Sequence, residues 1–269
     1  MALKKKRYTL DELNAFKSAY GKPLERKELL ISILKPFIIG FTLTYLIFYY
    51  WIVALLVGIV CAIYGYRVIM PVSLKRVYEG NAFTQKNLFV NGMTQLLTNP
   101  DRTINEALQT VVQRTEGEFQ KDIYDLITTL TGQDNEKVRE AFDLFAKKYK
   151  DDVIFEMFVE QLTTTAIEGR TNIKTLKNIN TLHNELKGKR NGFLQEKKKH
   201  EINYTLMIVI IIGLILTISF SFGWDTYVEA YAHSKFGWIT SGLFLFVNAI
   251  FFNSFMTYQA DDAVMEVKF

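Results

Sequence analysis

Residues 36–66, PFIIGFTLTYLIFYYWIVALLVGIVCAIYGY, run for 31 positions without one charged side chain. One helical crossing of a bilayer needs roughly 20 apolar residues and a tight pair needs roughly 40. Extended to Leu29–Met70, the run reaches 42 residues, with Lys35 and Arg67 near its ends, able to snorkel to headgroups. The flanks choose between one crossing and two. Met1–Lys35 holds nine Lys/Arg against four Asp/Glu, and Lys75 and Arg76 follow soon after Arg67. Basic flanks stay in the cytoplasm, so the number of crossings is even and a hairpin over 29–71 is expected. Its turn is expected at Phe48-Tyr49-Tyr50-Trp51, four aromatics suited to the far membrane–water boundary. One long tilted helix is the alternative. Ala54, Gly58 and Ala62 recur every fourth residue, a stripe suited to close helix packing within the hairpin or between subunits.

A second apolar pair follows at 204–258. Tyr204–Phe222 and Phe236–Tyr258 are uncharged, and the link Gly223–Lys235 carries Asp225, Glu229 and only one lysine. The link is expected outside and the tail 259–269 inside. Lys197-Lys198-Lys199, just before the third span, marks the cytoplasmic side. The expectation is a multi-pass protein of the cytoplasmic (inner) membrane with both termini in the cytoplasm. Its fold class is all-α, two transmembrane helical hairpins flanking a cytoplasmic six-helix bundle.

Composition agrees with such blocks. The 269 residues are 22% charged and 14% aromatic, with mean hydropathy +0.07. A net charge of +4 with no basic tract among aromatics argues against nucleic acid as a partner. The single Cys61 precludes an internal disulfide framework and a Cys-based metal site. Lys4, Lys5, Lys6 and Arg7 lack a following apolar core, so no signal peptide is expected. Instead Thr9-Leu10-Asp11-Glu12 is a capping-box pattern that starts an amphipathic arm over 1–28. Lys4–Arg7 and Lys197–Lys199 are the expected contacts to the lipid bilayer surface.

The middle segment, 72–203, repeats apolar residues at three and four, the period of helices. A first helix is expected from about Thr84 to Thr98, ending at Asn99-Pro100. The next starts at Thr103, with Glu106 closing a capping box. A third presents Phe119, Ile123, Leu126 and Leu130, with Gly132 as its C′ residue. A fourth presents Val138, Phe142 and Phe145, and a fifth runs from about Asp152 to Gly169. The sixth begins near Asn172, presents Ile173, Leu176, Ile179, Leu182 and Leu186, and continues through Phe193 toward the third span. Six short stripes cannot be buried singly and are expected to pack on one another.

Signs of chemistry are scarce. No phosphate-binding glycine loop occurs, and His183, His200 and His233 are far apart in sequence. Asp151-Asp152 and Asp261-Asp262 fit helix starts or tails better than acid–base dyads. No ionisable residue lies deep in a span, where transporters and pumps commonly place one. No catalytic residue, cofactor or metal is therefore expected, and the chain is not read as an enzyme.

Two apolar pairs around a helical segment resemble the inner-membrane platform proteins of type IV pilus and type II secretion machines, in particular the Tad (Flp) branch with one type II secretion F domain. The resemblance is carried by Gly65-Tyr66-Arg67-Val68-Ile69-Met70-Pro71, similar to a proline-terminated exit from the second span. It also rests on Leu96-Leu97 with Thr103–Leu108, on Gly132 with Ala141-Phe142, on Glu168–Ile173 with Leu176, and on Leu186–Arg190 with Lys197–Lys199. Thr98-Asn99-Pro100-Asp101 departs from the Ala-Gly common in that family's first turn. The resemblance implies a scaffold coupling a cytoplasmic ATPase to assembly or export of pilin-like subunits, alongside a second platform protein or further copies of itself. Arg102, Glu106, Arg170 and Lys174, charged and near helix turns, are the candidate partner contacts. Two alternatives stay open: a membrane-tethered regulatory or binding module, and a small transporter component.

Overall fold

A computed structural model describes residues 8–130, 134–169 and 172–260. Lys4–Arg7, Gly132, Arg170 and Asp261-Asp262 lie outside the described residues. Among those described, the structure is helical throughout, with no strand. The helices are α1 (Leu10–Ser18), α2 (Arg26–Phe48), α3 (Trp51–Tyr64), α4 (Met70–Leu96), α5 (Ile104–Val112), α6 (Gly117–Leu130), α7 (Asn135–Lys148), α8 (Val153–Glu168), α9 (Ile173–Phe222), α10 (Trp224–Tyr227) and α11 (Lys235–Ala260). Four helical stretches are long and apolar enough to cross a membrane: Arg26–Phe48, Trp51–Leu96, Ile173–Phe222 and Lys235–Ala260. This is a membrane protein.

The chain forms two compact units. One comprises, among described residues, 8–15, 23–76 and 194–260, and the other 16–22 and 77–193. The divisions thus differ from the sequence boundaries at 71/72 and 203/204, because α4 and α9 are unbroken helices that pass through them.

In the first unit, α2 and α3 pack along each other. The turn is short: Tyr49, at φ 55°, is the one non-glycine residue with positive φ among the described residues, and α3 starts at Trp51. That conformation costs an L-residue about 1–2 kcal/mol. Ring contacts offset it. Tyr49 meets Trp224 edge-on at 4.8 Å and Tyr227 at 5.8 Å. Phe48 and Tyr50 reach Trp238 at 5.2 and 5.5 Å.

The close approach of α2 and α3 depends on missing side chains. A Cβ on Gly40 would stand 2.5 Å from Cys61 Sγ, and one on Gly58 would stand 3.0 Å from the Phe37 ring. Gly65 is tighter: its Cβ would lie 2.6 Å from Pro36 Cγ and 2.7 Å from the Ser32 carbonyl oxygen. Pro36 lies inside α2 and has no N–H to offer that carbonyl four residues back. Gly65 fills the place where α2 lacks a hydrogen bond. Ala54 and Gly58 of the expected stripe are buried, whereas Ala62 is half-buried. The seam follows Ala54, Gly58, Cys61 and Gly65.

After α3 the helix does not stop at Pro71. Gly65–Ile69 widens into a π turn in which the Met70 N–H reaches the Gly65 carbonyl, and α4 continues to Leu96. A π turn shifts the hydrogen-bond register and so tolerates a residue that cannot donate. The expected helix start at Thr84 is therefore internal to α4.

α11 packs on α2 and meets α9 chiefly through large side chains. Tyr204 stacks on Phe255 at 5.1 Å and approaches Phe252 at 5.8 Å. The side chains of two asparagines of α11 each have a single partner. Asn253 accepts from Tyr64 at 3.1 Å, and Asn248 donates to its own helix at Phe244. Most of the apolar surface faces outward: only 6% of the most apolar window of α9, and 6% of that of α11, is buried.

The second unit has one apolar core, drawn from α4–α9. Phe89 sits at its centre, edge-on to Phe119 at 5.7 Å and to Phe158 at 6.2 Å, with Phe145 and Phe155 each at 5.9 Å. Such pairs add about 0.5–1.5 kcal/mol each beyond area burial. Thr103 and Glu106 cap α5 reciprocally, and Gly169 ends α8 in the left-handed region. Residues 16–22, expected as part of a membrane-surface arm, belong to this unit. Gly117, at φ 67°, has no Cβ to block the Ala19 carbonyl, which accepts from Glu118 N–H at 2.8 Å.

Gly65→Val is expected to destabilise the protein by about 1–3 kcal/mol through overpacking against Pro36 and the Ser32 carbonyl. Gly213→Ala, with open space around the site, is the control expected to change little. Thermal unfolding in detergent micelles measures both.

Candidate functional site

The polar cluster of the second unit begins with helix ends and helix periodicity. Asp152 is the N-cap of α8, its carboxylate accepting the Phe155 N–H at 3.1 Å. A cap is normally at the surface, but Asp152 is only 2% exposed. A buried carboxylate must find charge or hydrogen-bond donors inside the protein. It has Lys86 of α4, itself 9% exposed, in a direct salt bridge. His183 of α9 follows, fully buried, with Nε2 3.7 Å from the same carboxylate oxygen. Burial would raise the Asp152 carboxyl, but the neighbouring His183 ring and the Lys86 charge outweigh it and hold it down to about 2.

His183 replaces Leu182 in the expected stripe. Leu176, Ile179 and His183 are spaced three and four, so all three point inward, and Leu182 is left 46% exposed. The buried histidine is the residue that a search for apolar periodicity misses. The spacing to Leu176 and Ile179 was the available signal.

An amide network extends outward from the histidine. Asn87 Nδ2 lies 3.1 Å from His183 Nδ1 and donates to Asn184 Oδ1 at 2.9 Å. Lys187 donates to Asn87 Oδ1 at 2.7 Å. Asn184 in turn donates to Asn91 and Asn180, each at 2.9 Å. The Phe83 ring stacks on His183 at 5.1 Å, with the Arg190 guanidinium 4.9 Å from the same ring.

A second cluster braces α4, α6 and α7. Tyr78 donates to Glu118 at 3.0 Å, Lys148 bridges Glu118 and Asp122 at 2.7 Å each, and Tyr149 donates to Asp122. Burial opposes the charge on Lys148, but Asp122 and Glu118 prevail and raise it.

Neither cluster contains the four partner contacts expected from sequence. Arg102, Glu106 and Lys174 are exposed, and Arg170 lies outside the described residues. Arg102 and Glu106 flank the start of α5, where the Glu106 carboxylate accepts the Thr103 N–H at 3.2 Å. Lys174 stands in the first turn of α9. Of the expected membrane-surface lysines, Lys198 and Lys199 are exposed. Lys197 is not: it is fully buried, donates to the Gln259 carbonyl at 3.4 Å, and its own carbonyl accepts from Gln259 Nε2 at 3.1 Å. Lys197 ties α9 to α11.

Four membrane-length helices and a helical bundle with its own core define an all-helical membrane protein, with no cluster of three metal-ligating side chains among the described residues. The sequence is 42% identical over 265 residues to the uncharacterized protein pXO2-23 of Bacillus anthracis, covering 98% of this chain and 96% of the relative. The chain belongs to the family of that protein. No model of a known protein family matches it, and no solved structure matches it.

Asp152→Ala is expected to cost about 3–5 kcal/mol, because Lys86 is left as an unpaired buried charge. The depressed carboxyl fixes the sign with pH. Its contribution is fully present above the ordinary value of 3.8 and is lost as pH falls through about 2. Acid unfolding of the wild type and of Asp152→Ala, followed by circular dichroism, is expected to converge below that value.

Proposed function

We propose that the protein is a platform of a type IV pilus or type II secretion-like machine, coupling a cytoplasmic ATPase to assembly or export of pilin-like subunits. One observation carries this reading: two apolar helices precede, and two follow, a helical bundle with its own aromatic core. A scaffold needs a membrane anchor and a folded body to receive a partner, and it needs no catalytic group of its own. The charge bias of the flanks supports two transmembrane hairpins in a cytoplasmic membrane, with the bundle and both termini in the cytoplasm. The exposed charges Arg102, Glu106 and Lys174 are the contacts proposed for the ATPase. Arg170 is proposed with them from sequence.

Affinity capture of the full-length protein from crosslinked native membranes tests the role. The expected result is enrichment of a secretion-type ATPase and of pilin-like subunits. Repeated capture without either would remove the platform reading.

Thiol labelling tests the topology. In a Cys61→Ser background, Ser234→Cys is expected to react with an impermeant maleimide in intact cells. Thr98→Cys is expected to react only after the membrane is opened. The reverse pattern would overturn the orientation.

A further inference from the structure

The buried cluster around His183 fixes the protonation state of that histidine by hydrogen-bond logic alone. An ammonium only donates, so the Asn87 atom 2.7 Å from Lys187 Nζ must be the amide oxygen. The other end of the Asn87 amide is then NH2, which also only donates. One of its hydrogens goes to Asn184 Oδ1 at 2.9 Å and the other to His183 Nδ1 at 3.1 Å. Nδ1 must therefore be a lone pair. The imidazole is neutral, with its one proton on Nε2, which stands 3.7 Å from Asp152 Oδ2 and has no hydrogen-bond partner.

A second proton is disfavoured in the closed bundle. On Nδ1 it would face an N–H of Asn87. Rotating the Asn87 amide by half a turn relieves that clash but creates two others: NH2 against the Lys187 ammonium, and oxygen against Asn184 Oδ1. The ring and Asn87 are buried, so water cannot repair the first arrangement; in the second, Asn184 is exposed and can adjust, but the Asn87 NH2 still faces the Lys187 ammonium. The charged groups around the ring are mixed. Asp152, at the start of α8, favours an imidazolium but is already paired with Lys86 of α4. Lys187 and Arg190, on α9 itself, oppose it.

We propose that this cluster is a proton-sensitive latch, which holds α9 against α4 in the bundle only while His183 is neutral. Acidification then favours an opened state in which the ring leaves Asn87 and takes up a second proton. The latch stands independently of the platform role.

Hydrogen–deuterium exchange of the full-length protein in nanodiscs tests it, read over 77–96 and 173–193 and corrected for intrinsic rates. The opening equilibrium of these segments is expected to rise about tenfold between pH 7.5 and 5.5, as one proton is taken up on opening. His200 and His233 are exposed and contribute little to that difference. His183→Gln keeps an acceptor for Asn87 without a titrating group and is expected to flatten the dependence. Lys187→Met frees Asn87 to turn its oxygen to the ring, and is expected to remove at least half of it. A Lys187→Met protein with the full wild-type dependence would show burial alone at work and overturn the latch, as would His183→Gln with unchanged dependence. Should His183→Gln fail to fold, 15N-imidazole shifts of the wild type decide. A doubly protonated His183 in the closed bundle at pH 5.5 overturns the proposal, and a ring protonated on Nε2 alone upholds it.

Discussion

A carboxylate placed inside a helical bundle constrains everything around it, since its charge must be met by protein groups. Asp152 is such a group. It caps α8 through the Phe155 N–H, pairs with Lys86 of α4, and lies beside His183 of α9. Three helices, α4, α8 and α9, are thereby held at one point. The aromatic core centred on Phe89 is tolerant by comparison, because apolar contact has no direction and rings can repack. The polar cluster accepts one register of α4, α8 and α9. A shift of α9 by one turn would place Ile179 or Lys187 where the histidine stands, and neither offers Asn87 the acceptor that His183 Nδ1 provides.

The membrane-length helices follow a different rule. In hydrocarbon each backbone must satisfy its own hydrogen bonds, so apolar segments are helical whatever their neighbours do. Which helices then come close depends on side-chain size. Gly40, Gly58 and Gly65 let α2 and α3 approach until a Cβ would collide. Tyr204, Phe252 and Phe255 make the meeting of α9 and α11 one of rings instead of backbones. The exit from α3 uses both devices, a glycine beside the proline of α2 and a π turn ahead of a proline of its own.

Much of this was legible in advance. The uncharged run 36–66 and its basic flanks gave the helical membrane class. Aromatics at 48–51 marked the turn, and Thr103 with Glu106 marked the start of α5, because capping and turns are decided by residues within a few positions of each other. The heptad-like spacing of Phe142 and Phe145, or of Phe155, Phe158 and Leu162, placed the core faces of α7 and α8 for the same reason. Pro71 misled, since a proline reads as a stop only when the hydrogen-bond register is regular.

The sequence by itself determined helices, their apolar faces and their caps, all properties of neighbours along the chain. Only the tertiary structure decided that Asp152, Lys86 and His183 share one buried site, that Lys197 turns inward to Gln259, and that residues 16–22 join the bundle. These depend on groups 60 or more positions apart for Lys86–Asp152 and Lys197–Gln259, 66 and 62 residues respectively. No local pattern encodes which distant partner a buried charge will meet; that is set by the packing that removes water from both.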